Sequence, residues 1–218
     1  DLEQPIGHYI PELEDLTLYT KDGNVPLEIQ PTVADCLRHS SGLTYGFFGV
    51  SAVDAQYNLD HPLLTANSKT FVEKLSTYPL LFEPGTDWRY SVSTDVLGVL
   101  IERVTGQTLE EYLQEALFTP LDMKDTTFTV PDEQLHRFGP MYTRFRIAIE
   151  PVEESPFRDP YRFQSGGGGL ISTVEDYKHF GEMLMDNGQY NGVQILSEQS
   201  VSLMTQNQLA EGVRNIDG

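Results

Sequence analysis

The stretch Glu83–Ser93 reads EPGTDWRYSVS and decides how the chain is organised around it. Pro84 and Gly85 punctuate the backbone. Trp88 supplies an apolar anchor, and Tyr90 stands at the junction with DVLGVLIERVTG, a run that reads as a buried helix closed by Gly106. A tyrosine at a loop-to-helix corner packs half-buried in many proteins, with its hydroxyl in water. The same corner can also aim a phenol into a cleft, where it is available for proton transfer.

Elements on either side follow from pattern. LTLYT and VPLEI flank Lys21-Asp22-Gly23-Asn24, which reads as a hairpin. Thr32 is expected to cap a helix to His39, with Asp35 completing a capping box and Val33, Cys36 and Leu37 sharing one face. Asn67 is expected to cap a helix from Ser68 to Thr77, and Thr108 with Glu111 to cap TLEEYLQEALF. The helix after Tyr90 is apolar nearly all round, so it is placed centrally. Met141–Ile149 reads as one strand with Tyr142 and Phe145 in the core. Ser172 and Thr173 are expected to cap the helix that ends near Asn187-Gly188.

The order of these elements carries a resemblance. Leu80–Phe128 runs through a Pro-Gly turn, the tyrosine, an apolar helix ending in Thr-Gly, a second amphipathic helix and Pro-Leu-x-Met. It resembles the serine β-lactamase, penicillin-binding-protein and esterase superfamily. CLRHSSGLTYG (Cys36–Gly46) is similar to that family's His-Thr-Ser-Gly-Leu loop, and SGGGGLISTVEDYKHF (Ser165–Phe180) to its glycine-rich segment and following helix. The resemblance implies an α+β, β-lactamase/transpeptidase-like fold, present here chiefly as its helical portion with a few short strands. Residues 1–218 are expected to form one partial domain.

Two family elements are missing. Three positions before Lys21, Lys69, Lys74, Lys124 and Lys178 stand Leu18, Ala66, Phe71, Leu121 and Glu175, so no Ser-x-x-Lys occurs. Lys-Thr-Gly and its variants are absent too. The chain is therefore expected to be the interior of a longer one, and inactive alone. The resemblance implies acyl transfer through a serine ester, with Tyr90 as the catalytic group this segment supplies. A free tyrosine has a pKa of about 10, so Tyr90 needs a neighbouring ammonium to act as a base near neutrality.

Substrate contacts are expected from Ser91, Val92, Tyr45, Phe47 and Phe48. The three aromatics either line an acyl pocket or pack their loop down. β-Lactamases and peptidoglycan enzymes carry Asn two places after the tyrosine, where this chain has Val92. A valine side chain neither donates nor accepts a hydrogen bond, which favours carboxylesters over lactams and makes the related carboxylesterases the nearer likeness. β-Lactamase or peptidase activity and a non-catalytic binding protein of the same fold are the alternatives.

Composition excludes other classes. With 39% hydrophobic and 11% aromatic residues the chain is too apolar for disorder. A formal charge of -19 repels phosphate backbones and anionic lipid, so no nucleic-acid or membrane partner is expected. The resemblance implies a small ester or amide substrate as the partner. The five histidines and Cys36 show no zinc-site spacing, so neither metal nor cofactor is expected. Cys36 reads as a small buried thiol. His39 is expected to hydrogen-bond its own loop backbone. Gly166–Gly169 lack the Gly-Lys-[Ser/Thr] that follows a phosphate cradle, so they are expected to serve close packing at a bend.

Overall fold

The computed structural model describes every residue except Phe48, Val50, Arg146, Ile147, Glu153, Glu154 and Gly218. Phe48, expected at the substrate side, thus lies outside the described residues. Short helices dominate, and most of the α-helices are started by a side chain that satisfies a free amide of the first turn. Helix α1 (Val33–Arg38) opens with the expected capping box of Thr32 and Asp35. Helix α2 (Ala52–Asp60) opens with another, Ser51 with Asp54. Asn67 caps α3 (Ser68–Leu75) through the Thr70 amide.

The helix after Tyr90 is α4 (Ser93–Thr105), stopped by Gly106 in the left-handed conformation at φ 72°. Its cap position is Val92, which makes no side-chain cap bond, so Ser93 is not the cap expected of it. Val92, Val96 and Val99 are buried among Ile6, Ile10, Cys36, Leu43, Phe71 and Leu75. The helix is central but not buried along its whole length: Val104 is exposed, because the last turn runs beyond the core. Leu37 is likewise exposed, although Val33 and Cys36 on α1 are buried.

Helix α5 (Leu109–Leu113) has its Thr108/Glu111 capping box and continues as a π-helical turn over Gln114–Phe118. Phe118, Leu121 and Met123, from the Pro-Leu-x-Met end of that run, pack on Met183 of α6 (Val174–Met185). Thr173 caps α6, and Ser172 instead bonds Thr126. Helix α7 (Glu198–Met204) follows.

The strands form only two-stranded ribbons. β1 (Thr17–Thr20) and β2 (Gly23–Pro26) make the expected hairpin, with Lys21-Asp22 as its two-residue turn and Gly23 at φ 123°. β3 (Asp87–Trp88) pairs in parallel with the distant β8 (Arg214–Asn215). β4 (Tyr142–Phe145) and β5 (Ala148–Pro151) form an antiparallel hairpin, not one strand. Nothing between them carries Gly, Pro, Asn or Asp, so the reversal had no turn signature in the sequence. Tyr142, expected in the core, is exposed on this hairpin. The side chain of Phe145 lies outside the described residues. β6 (Gln189–Tyr190) and β7 (Val193–Gln194) form a last hairpin.

The glycine run sits against the first turns of α4. A Cβ on Gly166 would collide with the Thr94 carbonyl, and one on Gly167 would meet the Tyr45 hydroxyl, Thr94 and Asp95. Gly98 and Gly166 face each other, so backbone approaches backbone there. We expect Gly166→Ala to lower stability by about 1–3 kcal/mol, because its obstacle is main chain that cannot rotate away. Gly168→Ala, with open space around it, should be near neutral in the same denaturant titration.

Candidate active site

Three residues in sequence, Arg89, Tyr90 and Ser91, point to three different environments. Tyr90 is 38% exposed, and its ring stands 5.0 Å from that of His39 and 5.1 Å from that of Tyr45. Its amide donates to Asp217 Oδ2 at 2.9 Å. The corner that the sequence placed at Tyr90 is therefore a real one, with the phenol on the open side and the backbone tied down.

Tyr45 sits beside it in a different state. It is buried, and its hydroxyl donates to Asp95 Oδ2 at 2.8 Å. Burial, and then the Asp95 charge, push its pKa up, so it stays a neutral phenol. Phe47 stacks on Tyr45 with ring centres 5.1 Å apart and remains largely exposed. Of the expected aromatic contacts, Tyr45 thus stands beside Tyr90, and Phe47 stacks on Tyr45.

Ser91 and Val92 correct the expectation. Both are fully buried. Ser91 Oγ lies 3.2 Å from His39 Nδ1 and 2.7 Å from Ser93 Oγ, which in turn lies 2.7 Å from Ser41 Oγ. This hydroxyl chain runs inward from the His39 ring. Val92 packs in the apolar core. A side chain with no surface cannot touch a substrate, so neither residue is a contact in this arrangement. Helical geometry explains it: consecutive residues at a corner point to different sides, and only Tyr90 points out.

His39 is the left-handed C-cap of α1, at φ 59°. Its carbonyl accepts from the Arg89 amide at 3.0 Å, while its ring bonds the Ser91 hydroxyl rather than the loop backbone. Burial lowers its pKa, opposed by the Asp217 charge. Cys36 is buried beneath, and burial pushes its thiol up to about 12, so it is no nucleophile near neutral pH.

Four further residues went unnoticed in the sequence. Arg89 is buried between Asp54, at 3.1 Å, and Asp217, at 3.0 Å. Burial works to raise the Asp54 pKa, but hydrogen bonds from Ser51 and Thr44 and the Arg89 charge hold it below the ordinary value. Asp95 accepts from Tyr45, from Ser165 Oγ at 2.5 Å and from the Gly167 amide at 3.2 Å. Burial nonetheless raises its pKa. The Ser51-x-x-Asp54 spacing was a readable helix-start signal, but nothing in the sequence linked it to Arg89 or Asp217.

A cavity of about 480 Å³ is lined by Asn67, Glu102, Arg162 and Phe163 among others, and none of the residues around Tyr90 lines it. Among the described residues no group of His, Cys, Asp or Glu could hold a metal ion, and no helix is long and apolar enough to cross a membrane.

The comparisons place these features. Residues 1–216 match the family described as Beta-lactamase, and the chain belongs to that family. Protein Rv1367c of Mycobacterium tuberculosis is 32% identical over 218 residues, covering 96% of this chain and 54% of that protein. Esterase EstB of Burkholderia gladioli is 30% identical over 194 residues, covering 80% of this chain and 48% of that one. Other relatives are named as esterases or acyltransferases. Among solved structures, simvastatin synthase LovD of Aspergillus terreus superposes with a TM-score of 0.78 at 26% identity, covering 98% of this chain and 54% of that one. The fold is thus β-lactamase-like, and the chain spans about half the length of the curated relatives it matches.

Two outcomes follow from this geometry. Val92→Asn puts an amide in the apolar core; leaving it unbonded costs about 1–3 kcal/mol, read as a lower denaturant midpoint. It should not create a substrate contact. His39, whose pKa is lowered on folding, takes up its proton more readily when unfolded. Its contribution is therefore neutral above about pH 6.5 and increasingly destabilising as pH falls below that value. The loss of stability between pH 7.5 and about 5.5 should be smaller in His39→Asn, which also tolerates the left-handed backbone.

Proposed function

We propose that the complete protein is a serine hydrolase of carboxylic esters that works through an acyl-enzyme, with Tyr90 sharing the proton transfers. The single observation that supports this most is the contrast between two adjacent tyrosines. Tyr45 is buried and already donates to Asp95, whereas Tyr90 keeps an open phenol on a fixed backbone. An acyl-enzyme needs a nucleophilic serine and an activating lysine, taken here to come from Ser-x-x-Lys sequence beyond these residues. Next to that ammonium Tyr90 would stand as the phenolate, accept the serine proton during attack, and pass it as a phenol to the leaving alkoxide.

Carboxylic esters are preferred as substrates because relatives named as esterases share this chain's sequence. Exposed Phe47 stacked on Tyr45 offers an apolar edge for the acyl group. A second reading, transfer of the acyl group to an alcohol other than water, is favoured by the relatives named as acyltransferases.

Tyr90→Phe in the complete protein keeps the ring and its packing but loses the proton. Turnover of an unactivated alkyl ester should fall by roughly 10²–10⁴-fold, and that of a p-nitrophenyl ester by less, since its leaving group needs little acid help. Unchanged kcat on the alkyl ester would remove Tyr90 from the chemistry.

A further inference from the structure

The backbone at Tyr90 is not held by its own neighbours. Its amide donates to the carboxylate of Asp217, which lies 127 positions further along the chain. The same carboxylate sits 3.0 Å from Arg89 Nε. That contact is charge without hydrogen-bond alignment, since neither Nε nor Asp217 Oδ1 has a hydrogen-bond partner. Arg89 also donates from Nη1 to the Ile216 carbonyl at 3.1 Å and from Nη2 to Asp54 Oδ1 at 3.1 Å. Asp54 is anchored in turn by Thr44 and Ser51. The Ile216 amide donates to the Trp88 carbonyl at 3.1 Å, continuing the β3–β8 pairing, which Arg214 ties further to Asp87.

We infer that Asp217, seated on buried Arg89, is a positioning residue for Tyr90: it fixes the main chain from which the phenol projects, and so sets the distance over which the phenol transfers a proton. This rests on the role proposed for Tyr90. Three hydrogen bonds hold the corner. Asp217 holds the amide of Tyr90, the His39 carbonyl holds the amide of Arg89, and the Ser91 hydroxyl is bonded to the His39 ring. Asp217 is the most distant of these in sequence, 127 positions from Tyr90, and the one that acts on the Tyr90 amide itself. A reacting group displaced by a fraction of an ångström loses rate without losing affinity, so the effect belongs in kcat.

The test uses the complete protein and an unactivated alkyl ester, with Asp217→Ala, Asp217→Asn, Tyr90→Phe and the Ala/Phe double variant. Asp217→Ala removes the acceptor and should lower kcat by about tenfold with KM within about twofold. Asp217→Asn keeps an oxygen for the Tyr90 amide and should recover kcat to within about threefold of the parent. In the Tyr90→Phe background Asp217→Ala should cost nothing further, because the group it positions is gone. A thermal melt establishes that each variant is folded; if Asp217→Ala is not, Asp217→Leu, which keeps a branched side chain and removes the acceptor, takes its place. Parental kcat in the variant lacking the acceptor, an Asn variant as slow as the Ala one, or an additive loss in the Phe background would each overturn the positioning role. Parental turnover by Tyr90→Phe alone would instead overturn the role of Tyr90 itself, so the two failures are told apart.

Discussion

A guanidinium buried between two carboxylates governs this structure. Taking charges out of water is costly, and an ion pair recovers that cost only when geometry and extra hydrogen bonds are supplied. Arg89 hydrogen-bonds Asp54 and the Ile216 carbonyl, and the Asp217 carboxylate adds its charge beside Nε. On the role proposed for Tyr90, the position of Arg89 next to that residue gives this structural necessity a functional consequence. Whatever fixes Arg89 fixes the corner from which the phenol projects. Loss of one partner of such a cluster strands a buried charge, typically at about 3–5 kcal/mol, so the three groups have to persist together.

A second buried carboxylate does related work on the other side of the corner. Asp95, in the first turn of α4, gathers the Tyr45 hydroxyl, the Ser165 hydroxyl and the Gly167 amide. It joins the helix to the glycine run, and it makes Tyr45 a permanent donor. Two tyrosines 5.1 Å apart are thereby separated in chemistry: one is neutral and committed, the other open. The glycines matter here because any side chain on Gly166 or Gly167 would push the run off α4 and Asp95 out of reach. A hydroxyl chain runs inward from the His39 ring through Ser91 and Ser93 to Ser41, so these buried polar groups find partners in one another.

Local grammar carried far in this chain. Thr32 with Asp35, Asn67, Thr108 with Glu111, and Thr173 all cap helices where their side chains promise to, because a cap is a contact within four residues. The Lys21-Asp22 hairpin, the Gly106 stop and the tight packing of the glycine run are of the same kind. The order of these pieces was enough to suggest the β-lactamase-like fold, and the family match agrees. Where local grammar was silent the reading went astray: the β4–β5 hairpin has no turn signature, and Tyr142 lies on its exposed face.

Sequence by itself thus determined the family, the capped helices and Tyr90 as the residue at the corner. Tertiary structure alone decided which neighbours of Tyr90 face outward. Ser91 and Val92 are adjacent to it in the chain and were read as substrate contacts, yet both are buried, since side chains one and two positions along a turn diverge. Arg89, Asp54, Asp95 and Asp217 were invisible as a group because their partnerships reach across 35, 70 or 127 positions. No periodicity or motif records a contact of that range; only the closed fold brings Asp54 and Asp217 to Arg89, and Tyr45, Ser165 and Gly167 to Asp95, out of water.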